Sequence, residues 1–157
     1  LFTLTTKSRY AVRALYHLVN SEEGCKVTVK SIAEKEGLSR KYLEAIFQSL
    51  RKSGIVKGSR GPVGGYLLTT SPETITLLDI INAIEGPVSP VVCLVSGEYC
   101  RRETPCKARP LWKGLQQEVE QYLKSVRIVD MLEEGQPECA LLYDPRNKEE
   151  RNEQNLS

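Results

Sequence analysis

The sequence is poor in aromatics, has one histidine and carries no long apolar run, and each shortage closes off a class of protein. Aromatic residues make up 6% of the 157 residues, so the core is expected to be aliphatic. No apolar stretch approaches the roughly 18 residues of a membrane-spanning helix, which predicts a protein with no membrane partner. The opening LFTLTTKSRY lacks the continuous apolar segment of a secretory signal. A cytoplasmic protein with reduced thiols is therefore expected. One histidine and no clustered acid–base pair argue against an enzyme and against a small-molecule substrate. His17 lies in a helical stretch, where a lone histidine is more often a packing or surface residue than a ligand.

What the chain does have is unevenly spread. Net charge is only +2, yet residues 1–70 carry 12 Lys and Arg against 5 Asp and Glu, while the remainder carries 10 against 15. A basic half joined to an acidic half points the first half at a polyanion, although a solvated basic face would read the same way. SRYAVRALYHLVN places Tyr10, Ala11, Ala14, Leu15, Leu18 and Val19 on one helical stripe. Two further helices follow. Thr28 can cap the first, whose inner face is Val29, Ile32 and Ala33, and Gly37 breaks it. Ser39 can cap the second, with Leu43, Ile46, Phe47 and Leu50 inward and Gly54 past its end. Two short helices joined by a tight glycine turn make a helix-turn-helix.

The outer face of that second helix holds Arg40, Lys41, Tyr42, Glu44, Ala45, Gln48 and Ser49 behind the capping Ser39. In this motif the N-terminal part of the second helix enters the major groove of double-stranded DNA. Lys and Arg reach guanine edges or phosphates, Gln pairs with adenine, and Glu accepts from the cytosine amino group. Ile55-Val56 and Tyr66-Leu67-Leu68 read as two short strands around Gly58, Gly61, Gly64 and Gly65, with Arg60 at the tip. A glycine-rich hairpin directly after a helix-turn-helix is a wing, and Arg60 is placed to enter a minor groove. The glycines lack the GK[ST] ending of a nucleotide loop and open no helix.

Thr76 and Asp79 form a predicted capping box for a fourth helix with the stripe Leu77, Ile80, Ile81 and Ile84, stopped by Gly86-Pro87. From Pro110 a longer helix is expected through RPLWKGLQQEVEQYLKSVRIVDMLEEG. Trp112, Leu115, Val119, Tyr122 and Val126 form a short heptad seam. Such a helix, with nothing of its own left to pack against, predicts a symmetric homodimer. The tail from Gln136 is polar apart from CALLY. The expected architecture is mainly α. A winged helix-turn-helix domain spans 1–86, a cysteine-bearing loop 87–108, a dimerisation helix region 109–132 and a C-terminal tail 133–157.

Three of the five cysteines stand in CLVSGEYCRRETPC, the first pair separated by six residues and the second by five. A structural zinc site wants four ligands and usually a closer pair. A disulfide in the cytosol would be a switch, and plain structural cysteines favour apolar helices and strands. Iron–sulfur clusters are bound by thiolates, and the neighbouring Arg101 and Arg102 favour the thiolate form. The fourth ligand is open: Glu98 and Glu103 lie within the stretch, and Cys25, Cys139 and His17 lie elsewhere.

LTTKSRYAVRAL, SIAEKEGLSRKYLEAIFQSLRKSGIVKGSRGPVGGYLL, DIINAIEGPV and the three-cysteine stretch followed by LW together resemble the Rrf-type bacterial regulators, and most of all their iron–sulfur branch. The resemblance covers about residues 3–132. It implies a homodimeric winged-helix transcription factor, usually a repressor, with Cys93, Cys100 and Cys106 as cluster ligands. It favours a [2Fe–2S] cluster over a [4Fe–4S] one, and an aerobically prepared sample can lack either. Tyr42 and Glu44 match DNA-contacting positions of the family, and Arg60 matches its wing arginine. Arg109 stands where that branch has its histidine ligand; a guanidinium offers no lone pair. Arg9 occupies the position of the aspartate ligand in a nitric-oxide-sensing [4Fe–4S] branch. Lys41 replaces a small polar residue, which implies a different operator. Cys25 resembles a redox-sensitive thiol of a cysteine-metabolism branch.

The reading that follows is a DNA-binding regulator controlled by a cluster. The alternatives are a cluster-free regulator sensing thiol state or cysteine supply through a partner protein, a nitric-oxide sensor, and an electron-transfer or cluster-delivery protein.

Overall fold

The computed structural model describes residues 4–21, 27–59, 64–95 and 106–132. Among the described residues, five helices and one hairpin run in the order α1 (Thr6–Val19), α2 (Val29–Glu36), α3 (Arg40–Lys52), β1 (Val56–Ser59), β2 (Gly65–Leu68), α4 (Leu77–Glu85) and α5 (Arg109–Ser125). Short 3-10 turns lie at Pro72–Thr74, Val92–Leu94 and Ile128–Met131.

The helix ends follow local chemistry. The hydroxyls of Thr28 and Ser39 accept from the Ser31 and Tyr42 amides, at 3.1 and 3.2 Å, which satisfies donors that a helix start leaves without a partner. Thr76 and Asp79 exchange both bonds of the capping box. α2 and α3 end alike. Gly37 at φ 64° and Gly54 at φ 79° take the left-handed conformation that a side chain resists. The next amide, Leu38 or Ile55, then reaches back to the carbonyl of Ala33 or Leu50 at 3.0 Å. That closure turns the chain sharply and aims α3 across α2.

One core unites these elements. It takes Ala11, Ala14 and Leu15 from α1, Ile32 and Ala33 from α2, Leu43, Ile46, Phe47 and Leu50 from α3, and Ile80 from α4. Phe47 is the only aromatic among its buried side chains, as the low aromatic content predicts, and it stacks on Tyr66 of β2 at 4.5 Å. β1 and β2 pair antiparallel from Val56↔Leu68 to Ser59↔Gly65. The Tyr66 amide also donates to the Val27 carbonyl at 3.1 Å, so the wing is tied to the residue that leads into α2.

Three expectations need correction. The inward residue of α4 toward the C-terminal half is Leu78, with Ile81; Leu77 is only partly buried beside them. This α4 has two apolar faces, because Ile80 and Ile84 turn to the main core while Leu78 and Ile81 meet Val88 and Leu123. Leu123 of α5 is 4% exposed there, so α5 does pack on its own chain, through its C-terminal half. Its helix also stops at Ser125 rather than running on. Val126 turns extended, its carbonyl accepts from Leu77 N at 2.8 Å, and Ile128 N donates to Ile75 O at 2.9 Å. These bonds pair the chain with the strand-like entry to α4 and return Ile128 to the main core.

Candidate nucleic-acid interface and cysteine segment

α3 presents a charged face because its apolar positions recur at the helical period. With Leu43, Ile46, Phe47 and Leu50 buried, Arg40, Lys41, Glu44, Ala45 and Gln48 are left exposed. Tyr42 differs: it is half-buried on the rim of the core, edge-on to Tyr10 at 6.1 Å and 89°. Its ring is thereby held against α1. The Ser39 hydroxyl oxygen is occupied by the cap. Arg40 and Glu44 are not independent either, since Arg40 Nε lies 2.8 Å from Glu44 Oε1 one turn away. Any base contact made by one of them breaks or shares this pair.

α2, α3 and the wing enclose an open groove of about 850 Å³. Its basic side chains are Lys30, Arg40, Lys41 and Arg51, and Glu44 is its one acidic residue. Gln48 and Ala45 line its floor, and Gly58, Gly64 and Gly65 its wing side. A Cβ placed on Gly58 would meet nothing within 4 Å. The fold does not require glycine there, and the open space faces whatever enters the groove. Sequence reasoning missed Lys30 and Arg51. Arg51 continues the exposed line from Glu44 and Gln48 by one more helical step, so extending the register would have found it. Lys30 lies opposite buried Ile32 and becomes a groove residue only through the packing of α2 on α3. Arg60 lies outside the described residues.

Of the three cysteines in the 93–106 segment, Cys93 and Cys106 are described, and both are half-buried free thiols. Cys93 sits in the Val92–Leu94 turn, and Cys106 stands ahead of α5, its carbonyl accepting from Arg109 N at 3.1 Å. Cys100, Cys25, Cys139, Glu98 and Glu103 lie outside the described residues. Among the described residues no group of three or more His, Cys, Asp or Glu side chains converges. Arg109, the first residue of α5, is exposed. His17 is 7% exposed inside α1, with Nε2 2.8 Å from Glu36 Oε1, and Arg13 Nη2 lies 2.6 Å from Glu36 Oε2. It joins α1 to α2 and is committed to packing.

Among the described residues, one side of α5 is exposed along most of its length. Leu111 is 70% exposed, Tyr122 66%, Leu115 46% and Trp112 42%. A run of large apolar side chains along one helix is unusual on an isolated chain. No helix among the described residues is long and apolar enough to cross a membrane.

The Rrf2 family profile, described as an iron-dependent transcriptional regulator, matches residues 4–134. The regulator CymR of Bacillus subtilis is 35% identical over 142 residues, covering 89% of this chain and 98% of that protein. IscR of Erwinia tasmaniensis is 33% identical over 148 residues, covering 94% and 87%. In structure, the B. subtilis global cysteine regulator CymR aligns with a TM-score of 0.69 at 36% identity, over 83% of this chain and 96% of that one. T. potens IscR aligns with a TM-score of 0.65 at 33% identity, over 82% and 85%. A profile match over most of the chain and relatives a third identical along most of their own length agree with the winged-helix geometry: the chain belongs to the Rrf2 family of DNA-binding transcriptional regulators.

Proposed function

We propose that the protein is a homodimeric repressor whose affinity for operator DNA is set by an iron–sulfur cluster on its cysteine segment. The observation that carries the DNA-binding part is the basic groove between α2, α3 and the wing. In this reading Ser39, Arg40, Lys41, Tyr42, Glu44 and Gln48 face the major groove, and Arg60 of the wing faces the minor groove. Residues 1–86 form the DNA-binding domain, 109–132 hold the dimer helix, and 133–157 are an accessory tail. The uncovered seam of Leu111, Trp112 and Leu115 supports the dimer. Two recognition helices must stand about 34 Å apart to reach successive turns of DNA. Their spacing therefore depends on how each winged domain is held against α5.

The cysteines fit a cluster in chemical type. Cys93 and Cys106 are unbridged thiols at the two ends of the segment, and Cys100 is the third ligand by resemblance. A bound cluster supplies an oxygen- and redox-labile link between those ends. The chain's own part is to hold the ends: Cys93 follows α4 and Val88, Cys106 leads into α5, and Leu78, Ile81, Val88 and Leu123 join the two helices. Arg109 cannot serve as a ligand, so the fourth one comes from elsewhere.

A second reading is favoured by the match to CymR over 98% of its length. That relative is the global cysteine regulator of B. subtilis, and an oxidized form of Staphylococcus aureus CymR is among the similar structures. On this reading the chain senses cysteine supply or thiol state, with Cys25 as the responsive thiol. Anaerobic purification with iron, sulfide and visible-absorption measurement separates the two. About two irons per chain supports [2Fe–2S] and about four supports [4Fe–4S]. A colourless, iron-free protein after anaerobic reconstitution refutes the cluster and leaves the thiol reading.

A further inference from the structure

Glu85 is the last residue of α4 and is placed against local preference. The C-terminal end of a helix carries partial negative charge and disfavours a carboxylate. What holds it there is the first turn of α1. The Ser8 hydroxyl donates to Glu85 Oε1 at 2.5 Å, and the Thr5 hydroxyl donates to the same oxygen. Ser8 is 2% exposed, so this bond satisfies a buried hydroxyl. Burial by itself would push the Glu85 carboxyl up, but the Ser8 and Thr5 bonds and the Lys7 charge outweigh it and hold it below the ordinary carboxylate range. Lys7, between Thr5 and Ser8, in turn donates to Ser49 Oγ of α3 at 3.3 Å. Three residues of one turn thus touch both the end of α4 and the recognition helix.

The position of α4 makes this contact consequential. One of its faces is seated in the main core through Ile80, the other carries Leu123 of α5 and Val88, and its end leads through Gly86 into the cysteine segment. Val88 and Leu123 pack on α4, so a movement of the segment or of α5 is passed to it, and Glu85 is where α4 grips α1 by polar bonds.

We propose that Glu85 and Lys7 form a polar relay that couples the cysteine segment to the recognition helix, with Glu85 as its positioning residue. The direction of coupling rests on the reading that the segment is the sensor; the relay itself does not. Glu85 touches no nucleic acid and acts by fixing the first turn of α1, and through Lys7 and Ser49 the pitch of α3.

The test is a double-mutant cycle on DNA binding by the full chain with Glu85→Gln and Lys7→Met, helicity being checked by circular dichroism. The two single effects on affinity should fail to multiply by about threefold or more, because the residues act as one unit. Effects that multiply overturn the relay. The second arm compares anaerobically reconstituted and iron-stripped protein. The parent should show an affinity ratio between the two forms that Glu85→Gln reduces about threefold or more. A coupled cycle with an unchanged ratio overturns the link to the segment. A parent ratio of one overturns the cluster reading and that link together, while the cycle alone still decides the relay.

Discussion

The basic groove makes a quantitative demand on salt dependence. Four basic side chains line it, but Arg40 is held by Glu44 at 2.8 Å. Lys30 approaches Glu34 only at 3.9 Å with both side chains well exposed, which is too loose to withhold its charge. Lys30, Lys41 and Arg51 are then counted as phosphate contacts, about six in the proposed homodimer. Each neutralised phosphate contributes about −0.9 to the slope of log K against log salt, so the parent slope should be about −5. Raising salt about fourfold, from 50 to 200 mM, should weaken binding about a thousandfold. Lys41→Ala removes two of these contacts per dimer and should make the slope shallower by about 1.8. Alanine is a good helix former, so the exposed site should not lose stability. The assay is fluorescence anisotropy on a labelled duplex of about 30 base pairs, with no operator needed, because phosphate neutralisation is independent of sequence. A parent slope shallower than about −3, or a Lys41→Ala slope equal to the parent's, refutes the assignment of this groove to DNA.

Three further outcomes are expected. Leu115→Asp should put a charge into the uncovered seam of α5 and convert a particle of twice the 17.6 kDa chain mass to one chain by light scattering; an unchanged dimer would mean that another face associates. Leu123→Ala empties a site that is 4% exposed against α4 and should cost about 2–5 kcal/mol in urea unfolding; a negligible loss would show that α5 does not depend on that core. Glu85 has a lowered folded pKa, so its ionised form stabilises the fold above the ordinary carboxylate range, and this contribution fades as pH falls through the lowered value. The urea midpoint of the parent should exceed that of Glu85→Gln at about pH 7, and the gap should close as pH falls below the ordinary carboxylate range. A gap that is constant with pH contradicts the charge argument.

The helix-turn-helix was readable residue by residue because its signals are local. Thr28, Ser39 and the Thr76–Asp79 box bond to amides within three residues, and Gly37 and Gly54 answer a backbone angle at their own positions. The outward face of α3 followed from the spacing of Leu43, Ile46, Phe47 and Leu50. The far end of the chain was read less well. The heptad seam of α5 was visible and is exposed at Trp112, Leu115 and Tyr122, but the same helix also buries Leu123 against α4. Nothing in the spacing of VRIVDM foretold that its backbone pairs with Ile75 and Leu77, about fifty residues earlier.

By itself, then, the sequence determined where α2, α3 and α4 start and stop, which face of α3 is charged, and that three thiols lie in one short segment. Each of these is decided by neighbours within a helical turn or by the order of residues alone. Tertiary structure decided that Lys30 joins the groove and that α5 is shared between its own chain and an open seam. It also placed Glu85 of α4 on Ser8 and Thr5 of α1, with Lys7 reaching Ser49. Such contacts join residues some 40 to 80 positions apart. They exist only once the core has set the helices at fixed distances, and no local propensity encodes that.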